Sequence, residues 1–423
     1  MRLCHLVGQH HHPGDIGKKA DKSEQGGKQD AQRRDSKGGR ASVGALDEPA
    51  RPYTMPAITR DGSNLPISRK MPRMAVNNKR VFYVKYLAAP VFAEILGRRP
   101  DVQLDRLEND SPDSVADPVL AAAHAYQVGA SRDEFLPKYY VTAELIARAP
   151  NLLAVSSNGS GFDTIDLADC TKAGVLAVNQ AGGNAEAVAE HVLGFMLALT
   201  KRIGETDRYM RQKSDIPRND YKGHDLVGRT IGIVGLGHVG SRVAELCRGL
   251  FRMRVLACDP NLTAAQITAK GATKVELDDL MREADYVSIN CPLIASTRNM
   301  IGAAQYALMK KEAYFITTAR GFIHDEQALA DALRERRIAG AGLDVWEKEP
   351  PALDHPLLAF DNVLVSPHTA GVTFESRENI ATIAAEQMLD ILDGKKPPRM
   401  LNPEVWPAYC DRFEVIMGFR PQG

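Results

Sequence analysis

A chain of 423 residues, 44% apolar and 25% charged, has the length of two or three domains and enough apolar residues to give each a core. Its 53 basic and 53 acidic residues cancel, which argues against a dedicated nucleic-acid binder, whose footprint is a basic excess. No apolar run reaches the ~18 residues of a membrane span, and the N-terminus lacks the apolar stretch of a secretory signal. The six cysteines (Cys4, Cys170, Cys247, Cys258, Cys291, Cys410) form no CxxC pair, as expected of reduced thiols in the cytoplasm.

Charge is unevenly spread. Residues 1–80 hold 16 Lys and Arg against 8 Asp and Glu, and the rest of the chain is acidic by the same margin. Only 13 of the first fifty residues are apolar, too few to offset chain entropy, so residues 1–78 are expected to be disordered. Cys4 with His10, His11 and His12 lacks the spacing of a closed zinc site, and no metal is expected. Met55, Met71 and Met74 are alternative starts.

From residue 79 strands and helices alternate. Residues 81–84 form a short apolar run, 90–96 read as a helix and 102–107 as a strand. Strands over 125–128 and 152–156 flank a helix over 142–149, and together these predict a small parallel α/β unit spanning 79–183. A clearer series follows over 184–371. Its strands are expected at 230–234, 254–257, 286–290, 314–318, 342–344 and 363–365, with helices at 239–250, 277–283 and 326–336. Six strands with helices between them match a doubly wound nucleotide-binding sheet. Long helices are expected over 184–200 and 375–392. The first is apolar around so much of its surface that it suggests a homodimer contact. The 29 residues after Gly394 are too few for a domain, so 372–423 are expected to return to the first unit, leaving the second inserted in it.

The strand Thr230-Ile-Gly-Ile-Val234 runs into Gly235-Leu-Gly-His-Val-Gly240 and then into a helix with Val243, Leu246, Cys247 and Leu250 on one face. At such a turn Gly235 permits the tight bend, Gly237 lets a pyrophosphate reach the backbone, and Gly240 lets helix and strand pack closely. His238 and Val239 stand at the helix start, where free N–H groups and the dipole favour an anion. Asp259 ends the next strand, 19 residues after Gly240. A carboxylate there accepts from both adenosine ribose hydroxyls and repels a 2′-phosphate. With no basic residue in 259–266, the cofactor read from the sequence is NAD rather than NADP.

Three polar segments follow at the ends of late strands, where open α/β sheets bind ligands. They are Thr317-Thr-Ala-Arg-Gly321, Asp344-Val-Trp-Glu-Lys-Glu-Pro350 and Ser366-Pro-His-Thr-Ala-Gly371. With Asn158-Gly-Ser-Gly-Phe-Asp163, Val188-Ala-Glu-His191 and Cys291-Pro-Leu293 followed by Thr297, the chain over 80–405 resembles the D-isomer-specific 2-hydroxyacid dehydrogenase family. The resemblance implies a Rossmann NAD domain inserted into a smaller flavodoxin-like α/β substrate domain. It implies that Arg320 binds the substrate's carboxylate and carbonyl oxygen, a task suited to a planar fork. His368 matches the family's acid/base, and Glu349 its carboxylate partner, which favours the imidazolium. Backbone amides of Ser160 and Gly161 match the loop that holds the substrate carboxylate. Asp344 matches the residue that bonds the nicotinamide carboxamide. Thr318, Cys291 and Pro292 match the wall beneath the cofactor, with Thr297 and Gly371 completing the set. His191, His238 and His324 are given no acid/base role.

The activity implied is NAD-dependent hydride transfer between a small 2-hydroxy acid and its 2-keto acid, 3-phosphoglycerate among the candidates. Glyoxylate or hydroxypyruvate reduction fits equally, and a non-enzymatic NAD-sensing corepressor resembles the same family. Glu349 argues against a formate dehydrogenase, which carries Gln at that position.

Overall fold

The computed structural model describes residues 78–422. The expected disorder of 1–78 and the Cys4/His10–12 cluster lie, but for Asn78, outside the described residues. Two parallel sheets organise the rest. The first contains β1 (Lys79–Val84), β2 (Val102–Leu107), β3 (Ala125–Val128), β4 (Ala154–Ser157) and β5 (Leu176–Val178), in the order β2-β1-β3-β4-β5. This is the flavodoxin-like order. Every residue of β3, β4 and β5 is buried, as expected for strands covered by helices on both faces.

The second sheet contains β6 (Thr230–Val234), β7 (Arg254–Cys258), β8 (Thr273–Lys274), β9 (Tyr286–Ile289), β10 (Tyr314–Thr317), β11 (Gly340–Leu343) and β12 (Val363–Val365). Its order, β12-β11-β10-β9-β6-β7-β8, reverses direction at β6, the signature of a Rossmann sheet. Seven strands replace the six expected. The additional one, β8, is a two-residue edge strand beside Leu256 and Ala257, too short to leave a periodic pattern. The strand expected at 342–344 begins two residues earlier, at Gly340, because alternating Gly and Ala carry no strand signal.

Two long helices link the sheets. Ala185–Thr200 buries Ala189, Val192, Phe195, Met196 and Leu199 against β10 and β11. A Cβ on Gly342 would come within 2.7 Å of the Phe195 ring, so the bare strand is what admits that ring. Only Glu186, Glu190 and Gly194 of this helix are exposed. Its all-round apolarity is therefore covered by its own chain and supplies no argument for a dimer. Phe374–Leu392 starts at Thr373, whose hydroxyl accepts from Ser376 N, and packs Ala384, Ala385 and Met388 with Phe92 and Leu96 beside β1.

The C-terminal residues form a helix, Trp406–Met417, that sequence periodicity did not reveal. Pro407 is tolerated in its first turn, where no intrahelical N–H is lost. Tyr409 and Phe413 are fully buried with Leu153, Leu176 and Val178 at the first sheet, each contributing roughly 1.5–3 kcal/mol. Asn402 fastens the return: its Oδ1 accepts from Ala177 N, and its Nδ2 donates to Val175 O. Among the described residues no helix is long and apolar enough to cross a membrane.

Candidate active site

The C-terminal ends of both sheets open onto one continuous track built from three cavities. The first, about 620 Å³, is lined by Leu236, Gly237, His238, Ser241 and Asp259. The second, about 320 Å³, shares His238 and Gly182 with it and adds Val239, Asn290, Cys291, Pro292, Thr318 and Arg320. The third, about 370 Å³, shares Ser160, Gly161, Thr318 and Arg320 with the second and reaches Asp344, Glu349, His368 and Gly371. The track thus runs from the end of β7, along the start of the helix His238–Phe251, to the loop after β12.

The phosphate loop has the geometry its glycines predict. Gly235 has φ +91° and lies so close to the end of β9 that a Cβ would sit 2.8 Å from Cys291 N. A Cβ at Gly240 would meet Gly235 O at 2.1 Å, whereas one at Gly237 would meet nothing within 4 Å, leaving the loop open above the helix N-terminus. That terminus presents orphan N–H groups to the cavity. Asp259 is drawn into the loop: Oδ2 accepts from Leu236 N and Oδ1 from Asn261 N, both at 2.9 Å. Thr318 and Asn290 line the second cavity, and the Thr318 hydroxyl and the Asn290 side-chain carbonyl are buried without a hydrogen-bond partner among the described residues. An open anion cradle, a carboxylate at the ribose position and two orphan polar groups along the connecting wall fit a dinucleotide.

Lys270 and Arg242 also line the first cavity, beyond the 259–266 window in which the sequence showed no base. Arg242 is held by Glu186 and Glu245, but among the described residues Lys270 rests only on Ser241 Oγ at 2.8 Å. Contact across two helices, not spacing, brings them together.

In the third cavity, His368 Nδ1 lies 2.7 Å from Glu349 Oε2, leaving Nε2 without a partner among the described residues. Burial opposes charge on Glu349, but the His368 contact, the Trp346 amide and nearby Arg320 together hold its carboxyl below the ordinary range. It is therefore ionised at neutral pH. Arg320 donates from Nε to Asp163 Oδ2 at 2.9 Å and from Nη1 to Ala319 O at 2.7 Å. Its Nη2 lies over Gly161, 1.7 Å from where a Cβ would stand. The amides of Ser160 and Gly161 donate to no protein acceptor among the described residues, while Gly159 N is bonded to Gln180 Oε1. The structure thus brings Arg320, Glu349, His368, Ser160 and Gly161 to one cavity. Asp163, at the end of the Asn158–Asp163 segment, steadies Arg320, and the sequence reading gave it no role.

Two expected cofactor residues have local partners of their own. Asp344 lines the third cavity but is completely buried, and its oxygens accept from Ser366 Oγ, Thr369 N and Ala370 N at 2.6–2.9 Å. These bonds hold the loop that carries His368, a task the sequence did not disclose. Thr297 Oγ1 donates to Pro292 O and accepts from Ile294 N, closing its own turn, and it lines none of the three cavities. A short hydroxyl side chain satisfies its local backbone first. His191 extends the Asp344 network, 2.9 Å from Ser366 Oγ, and His324 is buried against Tyr306.

The family model described as D-isomer specific 2-hydroxyacid dehydrogenase, NAD binding domain, matches residues 193–370. The glyoxylate reductase of Thermofilum pendens is 40% identical over 269 residues, 63% of this chain and 79% of that protein. The D-3-phosphoglycerate dehydrogenase of Archaeoglobus fulgidus is 36% identical over 306 residues, 69% of this chain but only 57% of that protein's length. A D-lactate dehydrogenase structure from Aquifex aeolicus, complexed with NAD and lactic acid, is similar with a TM-score of 0.63 at 27% identity. That match covers 78% of this chain and 98% of the other.

Proposed function

This chain belongs to the D-isomer-specific 2-hydroxyacid dehydrogenase family, and from that premise we propose that it reduces a small 2-keto acid to its 2-hydroxy acid. The protein is an NAD-dependent oxidoreductase of CH–OH groups. The observation that carries the proposal is the His368–Glu349 pair, 2.7 Å apart, on the same cavity as Arg320 and the free amides of Ser160 and Gly161.

Bound NADH supplies the hydride. Arg320 takes the substrate's carboxylate and C2 oxygen, and the two amides take the remaining carboxylate charge. His368 donates a proton from Nε2 to the C2 oxygen as negative charge develops there, and accepts it in the oxidative direction. Glu349, ionised and bonded to Nδ1, fixes the ring and stands opposite the positive charge it carries when protonated. The relatives' names offer glyoxylate and 3-phosphoglycerate as the limits of substrate size.

In this reading residues 79–183 with 372–423 form the substrate unit and 184–371 the cofactor unit. Thr318 and Asn290 line the cofactor's path with Asp344 beyond them, Cys291 and Pro292 form the wall beneath it, and Gly371 closes its end of the track. A homodimer is supported by the helix Ile203–Gln212, which buries no residue and exposes Ile203 and Met210. Five unpaired cysteines among the described residues support a cytoplasmic location. The test is NADH oxidation by the purified protein with glyoxylate, hydroxypyruvate, phosphohydroxypyruvate, pyruvate and a branched 2-keto acid. His368→Ala should lower turnover at least ~100-fold while NADH still binds. Undiminished turnover in that variant, or none in the wild type despite NADH binding, would refute the proposal.

A further inference from the structure

The chemistry at C1 and C2 leaves one group of polar side chains in the third cavity unused. Tyr86 follows β1, Glu134 lies on the turn Arg132–Glu134 after β3, and Arg377 lies on the helix Phe374–Leu392; all three line the cavity, with Asp133 beside Glu134. Tyr86, Glu134 and Arg377 share this lining, and the Tyr86 ring stacks on Phe135, the next residue after Glu134. Burial and Glu134 push its pKa far up, so the phenol keeps its proton and remains a donor. Arg377 makes no ion pair among the described residues. Lys85, with its Nζ 6.0 Å from the Tyr86 ring centre, is exposed and adds no cation to the lining.

We propose that Tyr86, Glu134 and Arg377 read the substituent on C3 of the substrate, taking a hydroxyl and turning away a phosphate. The proposal rests on the 2-keto acid reading above. A C3 hydroxyl is both donor and acceptor: it donates a hydrogen bond to Glu134 and accepts one from Tyr86 or Arg377. A methyl group in its place leaves three polar groups desolvated and unmatched. With Arg320 taken by the C1 carboxylate, a phosphate dianion on C3 meets one further guanidinium, that of Arg377, against two carboxylates, those of Asp133 and Glu134, adjacent on one turn. Like charges at close range disfavour its binding.

The experiment compares kcat/KM with NADH for hydroxypyruvate, pyruvate and phosphohydroxypyruvate in the wild type, Tyr86→Phe, Glu134→Gln and Glu134→Lys. Tyr86→Phe keeps the ring on Phe135 and removes only the hydroxyl, so it tests the reader without disturbing the packing. The wild type should prefer hydroxypyruvate to pyruvate by about tenfold or more, and each of the first two variants should shrink that ratio about tenfold. Glu134→Lys should raise phosphohydroxypyruvate relative to hydroxypyruvate. A merely structural role would lower all substrates together and leave the ratios fixed, which overturns the proposal, as does a wild-type preference for the phosphorylated acid. If no keto acid is reduced although NADH binds, the 2-keto acid reading itself falls and takes this inference with it.

Discussion

Replacing Gly161 by Ala separates the folding of the substrate loop from its function. The new Cβ would stand 1.7 Å from Arg320 Nη2 and 3.0 Å from Cζ. Ordinary contact needs about 3.5 Å, so the guanidinium must retreat by roughly 1.5–2 Å. That movement breaks its hydrogen bonds to Asp163 Oδ2 and Ala319 O. The obstacle is the end of a flexible side chain, and Gly161 is not in the left-handed region, so the fold should lose under about 1 kcal/mol. Function should suffer far more. A misplacement of about 1 Å costs on the order of a hundredfold, so kcat/KM for the keto acid should fall at least that much, roughly 3 kcal/mol of transition-state stabilisation. Steady-state NADH oxidation measures this, with thermal unfolding reporting the fold. Catalysis within about threefold of wild type, in a folded variant, would show that Arg320 does not need its place over Gly161.

Asp259→Ala should raise the NADPH-to-NADH ratio of kcat/KM at least ~10-fold, because Lys270 lines the same cavity and would then face a 2′-phosphate without the repelling carboxylate. An unchanged ratio would reduce Asp259 to its bonds with Leu236 N and Asn261 N. His324 is almost fully buried, and desolvation pushes its pKa down to about 4, so the unfolded state takes the proton first and stability is lost as pH falls from the unfolded value, ~6.5, through 4. Urea unfolding between neutral and acid pH should show roughly 3 kcal/mol more acid sensitivity in the wild type than in His324→Phe, and parallel pH curves would refute it.

Much of this was legible in the chain because the relevant signals are local. Gly235, Gly237 and Gly240 stand at fixed spacing on one turn, and the strand before them and the helix after them each carry their own period. Arg320, Glu349 and His368 each follow a strand of the second sheet, whose parallel order places their loops at one edge. What the chain did not reveal depends on side chains far apart in sequence. Asp163 and Arg320 are 157 residues apart and meet only because the two sheets face one cleft. Lys270 reaches the cofactor cavity by way of Ser241, 29 residues earlier, and no spacing rule predicts it. The helix Ala185–Thr200 makes a related point: apolarity says that a surface is covered, not by which chain.

Asp344 shows how a motif residue can carry a task its motif does not announce. His368 has φ +56°, a left-handed conformation uncommon for any residue with a side chain, at a cost on the order of 1 kcal/mol. The compensation comes from the end of β11: His368 N donates to the Asp344 backbone carbonyl at 2.7 Å, while the Asp344 carboxylate accepts from Thr369 N, Ala370 N and Ser366 Oγ. A buried carboxylate needs donors, and the loop supplies three of them. The loop in turn needs anchors to hold its strained residue. The two requirements are met by the same hydrogen bonds. They fix the backbone from which His368 reaches Glu349, so the position of the proposed acid/base depends on a carboxylate that its own ring does not contact.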